Sequence, residues 1–259
     1  MIDYRELTLF LYIIARISGF VLFNPILGRS NIPNIVKSGI ILVLSVFTMS
    51  ITNQMVSVPV GIAEFGIHLL MEMMLGFLLA LVMNIFFYIP QLAGHMIDTQ
   101  MGMTMNQMYD AASHSNQSVT AILFNILMTL LFFVANGHHT LFKIMITSGT
   151  IIPYGAVSVD MKLMANAMVE LFAECTLLAI KLCLPVLAAE LLGQLGMGIL
   201  MKVIPQINVF SINIELKMII GLLMVLMLMA PFSEFLLETE SHMLDRLQEF
   251  LNLAAASSG

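Results

Sequence analysis

The 259-residue chain has no tryptophan, only two cysteines, and charged residues at just 10% of its positions. Soluble domains carry about 25% charged residues, so a chain that is 59% hydrophobic with a mean hydropathy of +0.98 is not an ordinary soluble domain. Ten bases against sixteen acids leave a net charge of −6. That excludes the basic footprint nucleic-acid binding needs, so no nucleic acid is expected as a partner. Cys175 and Cys183 stand eight residues apart in an apolar run. On a helix this is about 12 Å of rise, too far for a disulfide, and both read as small buried hydrophobes.

Catalytic signatures are missing as well. There is no phosphate-cradling glycine loop of the P-loop type and no G-x-S-x-G, which removes direct nucleotide hydrolysis and the hydrolase elbow. His138 and His139 are adjacent, so on a helix they point about 100° apart and do not form an i, i+4 metal pair. Ser18-Gly19 beside Arg16 has no His or Lys base placed to activate it. The chain is expected to be no enzyme, and to need no cofactor and no metal. Asp3, Glu6 and the lack of a small-residue cleavage site predict no cleaved signal peptide.

What the sequence does have is six apolar stretches in succession: Leu7–Phe23, Ile35–Ile51, Ile62–Ile89 ended by Pro90, Val119–Thr147 interrupted at Asn136-Gly137-His138-His139, Leu163–Leu192, and Ile212–Ala230 ended by Pro231. A last amphipathic helix, Phe232–Leu253, carries acids on its polar face. Lipid leaves no partner for an open strand's backbone and admits only helices and closed barrels, so the expected fold is all-α: long apolar helices with hairpins and re-entrant loops, associated with a membrane. No polar block divides the chain, so residues 1–253 read as one domain and 254–259 as a disordered end. Loop charge should give orientation. With six crossings it ties, Arg29, Lys37 and Lys202 on one side against Arg5, Lys162 and Arg246 on the other. A tie argues against a simple six-pass arrangement.

Arg16, Glu72, Glu170, Glu174 and Lys181 lie inside the apolar runs, where each would cost about 2.5–3.5 kcal/mol facing lipid at a helix centre. Glu170, Glu174 and Lys181 fall within about 40° of one another on a helix and form one polar stripe. It is either a solvated face near a helix end or a contact between helices or subunits, with Arg16 as a possible counter-ion.

Two segments are out of place between apolar runs. Residues 94–110 hold Met96, Met101, Met103, Met105 and Met108 among Gln100, Gly102, Asp110 and other polar residues. Flexible thioether chains re-pack around changing shapes, which suits a deformable pore plug or seal. Copper(I), which soft thioethers select, and plain core filling are the alternatives. The second segment places Gly193, Gly196 and Gly198 before Pro205, Gln206 and Asn208. It reads as a helix break, lining a gated cavity or forming a tight helix-turn-helix.

These residues also carry a resemblance. Arg16 with Phe20, Pro25-Ile26-Leu27-Gly28, Ile32-Pro33 and Lys37, then Gly94, Ile97 and Gln100-Met101-Gly102, Asp110 with Ala112-Ser113-His114, Asn136-Gly137-His138, Pro185, and Ile204-Pro205-Gln206-Ile207-Asn208-Val209-Phe210 resemble, in order, the FliR family of flagellar biosynthetic proteins. The likeness runs from Arg16 to Pro231, and the Pro-Gln-Ile-Asn-Val-Phe and Gln-Met-Gly segments are its most specific parts. The chain departs from the family pattern at Asp110-Ala111, often Asp-Pro in the family, and in its richness in Met after Gln-Met-Gly. The resemblance implies a single-copy subunit of a type III export gate, in the flagellar basal body of the bacterial inner membrane. It implies FliP and FliQ as ring partners, contact with FlhB and with FlhA, and unfolded flagellar proteins as substrates, with the complex lifted partly out of the bilayer plane. A virulence-associated type III subunit is the nearest alternative, and a stand-alone small-molecule or metal transporter, expected to show an inverted repeat, is a more distant one.

Overall fold

A computed structural model describes residues 4–52, 54, 56, 59, 61–103, 118–157, 160–203 and 209–256, with residues 209–212 described by their backbone alone. Among these residues there is no strand, and the expected all-α class is what the chain adopts. Eight helices follow one another among the described residues: α1 Tyr4–Phe23, α2 Asn34–Ile51, α3 Ile62–Gln100, α4 Val119–Val134, α5 Gly137–Ile151, α6 Met161–Val203, α7 Val209–Met227 and α8 Met229–Ala256. By length and composition α1, α2, α3 and α6 are each able to cross a membrane, and two further bent pairs, each counted as one span, bring the possible spans among the described residues up to six.

Not every proline in the apolar runs ends a helix. Pro90 does not end the third run, because α3 continues through it to Gln100, and Pro185 likewise sits inside α6. A proline removes one i→i−4 bond, and a long helix held by its neighbours tolerates that loss. Pro231 lies in the first turn of α8, where its missing N–H is not needed. Pro231 has no N–H to donate to the Met227 carbonyl, and the chain bends by 61° between α7 and α8. The interruption at Asn136 is real: Asn136 has φ +60°, a left-handed conformation that closes α4 and starts α5.

At 1.5 Å per residue, α3 and α6 are about 59 and 65 Å long, close to twice the roughly 30 Å hydrocarbon core of a bilayer. The described chain divides into two compact units: residues 1–86, 136–172 and 240–259 in one, 87–135 and 173–239 in the other. Both are assembled from separated stretches, which is why no cut point shows in the sequence. The last helix reaches Ala256, three residues past Leu253, and Ala254 is buried. Its buried side chains Leu236, Met243, Leu247, Phe250 and Leu251 follow helical spacing. Not every acid takes the polar face expected of it: Glu240 is buried beside Thr239.

Candidate functional site

In the first unit, the sequence brings α1 and α3 together through glycines. A Cβ on Gly76 would fall onto the Arg16 carbonyl oxygen and lie 2.8 Å from the Phe20 nitrogen, and one on Gly19 would fall onto the Met73 carbonyl. Small residues let helix backbones approach in this way. Here the approach carries Arg16 across to Glu72, one turn before Gly76. Both side chains are fully buried, with Arg16 Nε donating to Glu72 Oε2 at 2.6 Å. Arg16 Nη1 donates to Ser148 Oγ at 3.2 Å, and both Nη atoms donate to the Ile152 carbonyl at 3.1 Å. The guanidinium carbon lies 4.2 Å from the centre of the Tyr154 ring.

The second Glu72 oxygen, Oε1, accepts the Gly155 N–H at 2.8 Å. Gly155 has φ +78°, where a side chain is strained, and an added Cβ would lie 2.9 Å from the Tyr12 ring. Gln54 completes the clasp, accepting the Tyr154 N–H at 3.2 Å and donating to the Gly149 carbonyl. Burial raises the Tyr154 phenol above its ordinary range, and the Arg16 charge works against that rise. The result is a fully partnered ion pair that pins the 152–155 turn to α1 and α3.

In the second unit the entrance to the Met-rich segment is held by Asp98, which is fully buried. Its Oδ2 accepts from Ser118 Oγ at 2.6 Å and from the Thr120 N–H at 3.1 Å, and its Oδ1 accepts from Thr120 Oγ1. Ser118 is the N-cap of α4 and accepts the Ala121 N–H at 3.2 Å. A carboxylate here meets both the orphan donors and the positive end of the helix dipole. Asp98 therefore ties the last turn of α3 to the first turn of α4.

The other residues singled out in the sequence fall as follows. Met96 is half-buried with its sulfur 3.8 Å from Cys183 Sγ, and both cysteines are buried and free of disulfide. Gln100 ends α3 half-buried, Met101 is buried, Gly102 has φ +78°, and Met103 is half-buried. Met105, Met108 and Asp110, with Pro205, Gln206 and Asn208, lie outside the described residues. The expected break at Gly193, Gly196 and Gly198 is corrected, because α6 is helical through all three to Val203. Helix propensity costs about 1 kcal/mol per glycine, too little to interrupt a helix of this length. Gly193 abuts Ile220, whereas Gly196 and Gly198 face nothing within 4 Å among the described residues.

Arg16 is not the counter-ion of the stripe, since its donors go to Glu72, Ser148 and Ile152. Glu170 and Lys181 are exposed and Glu174 is half-buried. Two functional-looking acids escape the sequence reading, Asp98 and Glu190, although Glu190 stands in the same apolar run as Glu170 and carries the same signal as Glu72. Large apolar side chains are exposed in series, among them Ile35 at 85% and Val43 at 69% on α2, and Leu192, Leu195 and Ile199 at 67–68% on α6. In water such faces would aggregate, so lipid or protein covers them.

A chain that is helical throughout its described secondary structure, with spans of membrane length, a buried polar clasp and extensive uncovered apolar faces, is a membrane protein. The chain belongs to the family described as bacterial export proteins, family 1, whose profile matches residues 7–243. It is 28% identical to the flagellar biosynthetic protein FliR of Escherichia coli K12, over 89% of this chain and 88% of that one. It is 26% identical to FliR of Bacillus subtilis, over 96% of both chains. It is also 26% identical to the secretion system apparatus protein SsaT of Salmonella typhimurium, over 60% of both. The resemblance to the FliR family stands on these matches.

Proposed function

We propose that this chain is a subunit of the flagellar type III export gate, and that with partner subunits it forms the channel through which unfolded flagellar proteins cross the bacterial inner membrane at the basal body. The observation that carries the proposal is the family match across nearly the whole chain, joined by FliR relatives aligned over most of their own length. FliP and FliQ are the ring partners the resemblance implies, with FlhB and FlhA in contact. The exposed apolar faces of α2 and α6 and the exposed Glu170 and Lys181 support burial against such neighbours. Within the channel, the Met-rich segment anchored by Asp98 serves as plug and seal, with Met96, Gln100, Met101, Gly102, Met103, Met105, Met108 and Asp110 in that role. The residues Gly193, Gly196, Gly198, Pro205, Gln206 and Asn208 line the gate, the three glycines doing so from within α6 rather than from a break in it.

A virulence-associated export gate is the second reading, and the SsaT match favours it over any unrelated transporter. Co-expression with FliP and FliQ, followed by the mass of the detergent-extracted particle, tests the assignment. The proposal expects one large particle containing all three chains. Recovery of this chain at its own mass, with the partners assembled without it, would return it to the class of solitary transporters. Restored motility in a bacterium lacking its own FliR separates the flagellar role from the virulence one.

A further inference from the structure

The segment joining α1 to α2 carries a motif that the export reading leaves unused, Pro25-Ile26-Leu27-Gly28 with Arg29 and Lys37. Asn24, buried just past α1, builds its turn. The Asn24 Oδ1 accepts the Ile26 and Leu27 N–H groups at 2.9 and 3.0 Å, and its carbonyl accepts the Gly28 N–H at 2.8 Å. A Cβ on Gly28 would lie 2.5 Å from the Leu22 carbonyl oxygen and 2.6 Å from that of Asn24, so the turn closes only with glycine there. This rigid turn holds two cations without an acid. Lys37 is only 9% exposed, yet its ammonium has a single partner among the described residues, the neutral Gly28 carbonyl at 2.9 Å. Arg29 Nε donates to the Pro25 carbonyl at 2.9 Å, and its side chain is exposed. From residue 7 to residue 63 the sequence has no Asp or Glu, and Glu72 has both oxygens engaged by Arg16 and Gly155. A buried ammonium with one carbonyl and no counter-charge is costly. No side chain caps the N-terminus of α2, which adds the positive end of a helix dipole to the same turn.

Beside the turn lies an open groove of about 430 Å³, lined by Leu22, Phe23, Phe77 and Leu81 together with Gly28, Arg29 and Asn84. Ligand sites occupy about 300–1,000 Å³. Phe23 and Phe77 meet edge to face at 4.8 Å, and Leu22 and Phe23 are about half exposed. The 20 residues of α1 span about 30 Å, the thickness of a hydrocarbon core, so a turn at its end falls at the level of lipid phosphates. We propose that this groove binds an anionic phospholipid, with an acyl chain along Leu22, Phe23, Phe77 and Leu81 and the phosphate at Arg29 and Lys37. The apolar walls favour a lipid over a free anion, which would leave them bare. A zwitterionic headgroup would bring its own cation to a turn that already holds two, so the net charge of the lipid decides the binding. The phosphate then does for Lys37 what Glu72 does for Arg16.

The test needs no export activity. The full chain, reconstituted in phosphatidylcholine vesicles, receives a trace of phosphatidylglycerol or phosphatidylcholine bearing a diazirine on the acyl chain, and peptide mass spectrometry locates the adducts after illumination. Phosphatidylglycerol should label residues 22–25 and 77–84 several-fold more than phosphatidylcholine. Excess unlabelled phosphatidylglycerol should remove that difference, and inorganic phosphate should not. Arg29→Gln, a change at an exposed side chain, should lower the label several-fold, and adding Lys37→Gln should bring it to the phosphatidylcholine level. Lys37→Arg, which keeps the cation, should retain it. Equal labelling of the wild type by the two lipids would overturn the lipid site, and that comparison involves no substitution. Undiminished labelling in the double variant recovered at wild-type yield would overturn it too, and competition by inorganic phosphate alone would reduce it to a site for free anions. In the particle extracted with FliP and FliQ, a carbodiimide-formed amide between Lys37 and a partner carboxylate, with the lipid label lost, would give the groove to a protein and contradict the lipid assignment.

Discussion

Arg16 and Glu72 show how the chain accommodates charge in an apolar interior. The guanidinium donates four hydrogen bonds, and the carboxylate accepts from both Arg16 and the Gly155 N–H. A buried pair is weak evidence of net stability, but breaking it leaves an uncompensated charge and costs roughly 3–5 kcal/mol. Glu72→Gln is therefore expected to lower the thermal midpoint of the detergent-solubilised protein by several degrees or more. The double replacement Arg16→Met with Glu72→Leu should lose much less, because no charge is stranded. Circular dichroism on heating checks both. The sequence marked these two residues as anomalous but not as each other's partners, since the pairing spans 56 positions and depends on the α1–α3 approach at Gly76. The stripe illustrates the reverse case: helical spacing correctly put Glu170, Glu174 and Lys181 close in angle, yet spacing says nothing of what lies opposite.

Helices were legible where apolar periodicity is long and unbroken, and their ends were not where a proline or glycine had to be weighed against tertiary support. Pro90 and Pro185 stay inside α3 and α6, and the Gly193–Gly198 stretch stays helical, because each lost bond or entropic cost is small beside the packing of helices about 60 Å long. That distinction makes a test. Gly193→Leu meets Ile220 and should reduce the level of inserted protein, while Gly196→Leu and Gly198→Leu meet nothing within the described chain and should insert at wild-type level. If the latter two face partner subunits, export should still fall several-fold. Immunoblots of membranes beside secreted substrate separate insertion from export. At the start of α4, Asp98→Ala removes three hydrogen bonds from the N-cap. Faster amide exchange at Thr120 and Ala121, equivalent to about 1–3 kcal/mol of lost protection, is the expected outcome.

For the molecule as a whole, composition alone separates membrane from soluble protein, and the motifs carry the family, but neither could show that α3 and α6 are about twice the length of a bilayer core or that the chain forms two units, each drawn from separated stretches of sequence. Those lengths fit the tied loop charge, since a helix that extends well beyond the lipid does not end where a loop-charge rule is counted. The exposed Lys181 gives an assembly prediction: Lys181→Glu places three like charges on one face of α6, and the particle with FliP and FliQ should fail to form while the chain itself is still inserted. Deletion of residues 103–115 should leave assembly intact but make the membrane permeable to small solutes, as a passage without its seal requires. Solute influx into cells expressing the deleted chain with its partners measures this, and a metal-dependent growth defect with no influx would favour copper binding instead. The central claim is that unfolded substrate passes along this chain. A photoreactive residue at Met103, in complexes arrested with a substrate fused to a domain that cannot unfold, tests it most directly. The account predicts a covalent adduct with the substrate at Met103 and none from the same probe at Val43 on the exposed face of α2. Adducts at Val43 and not at Met103 would contradict it.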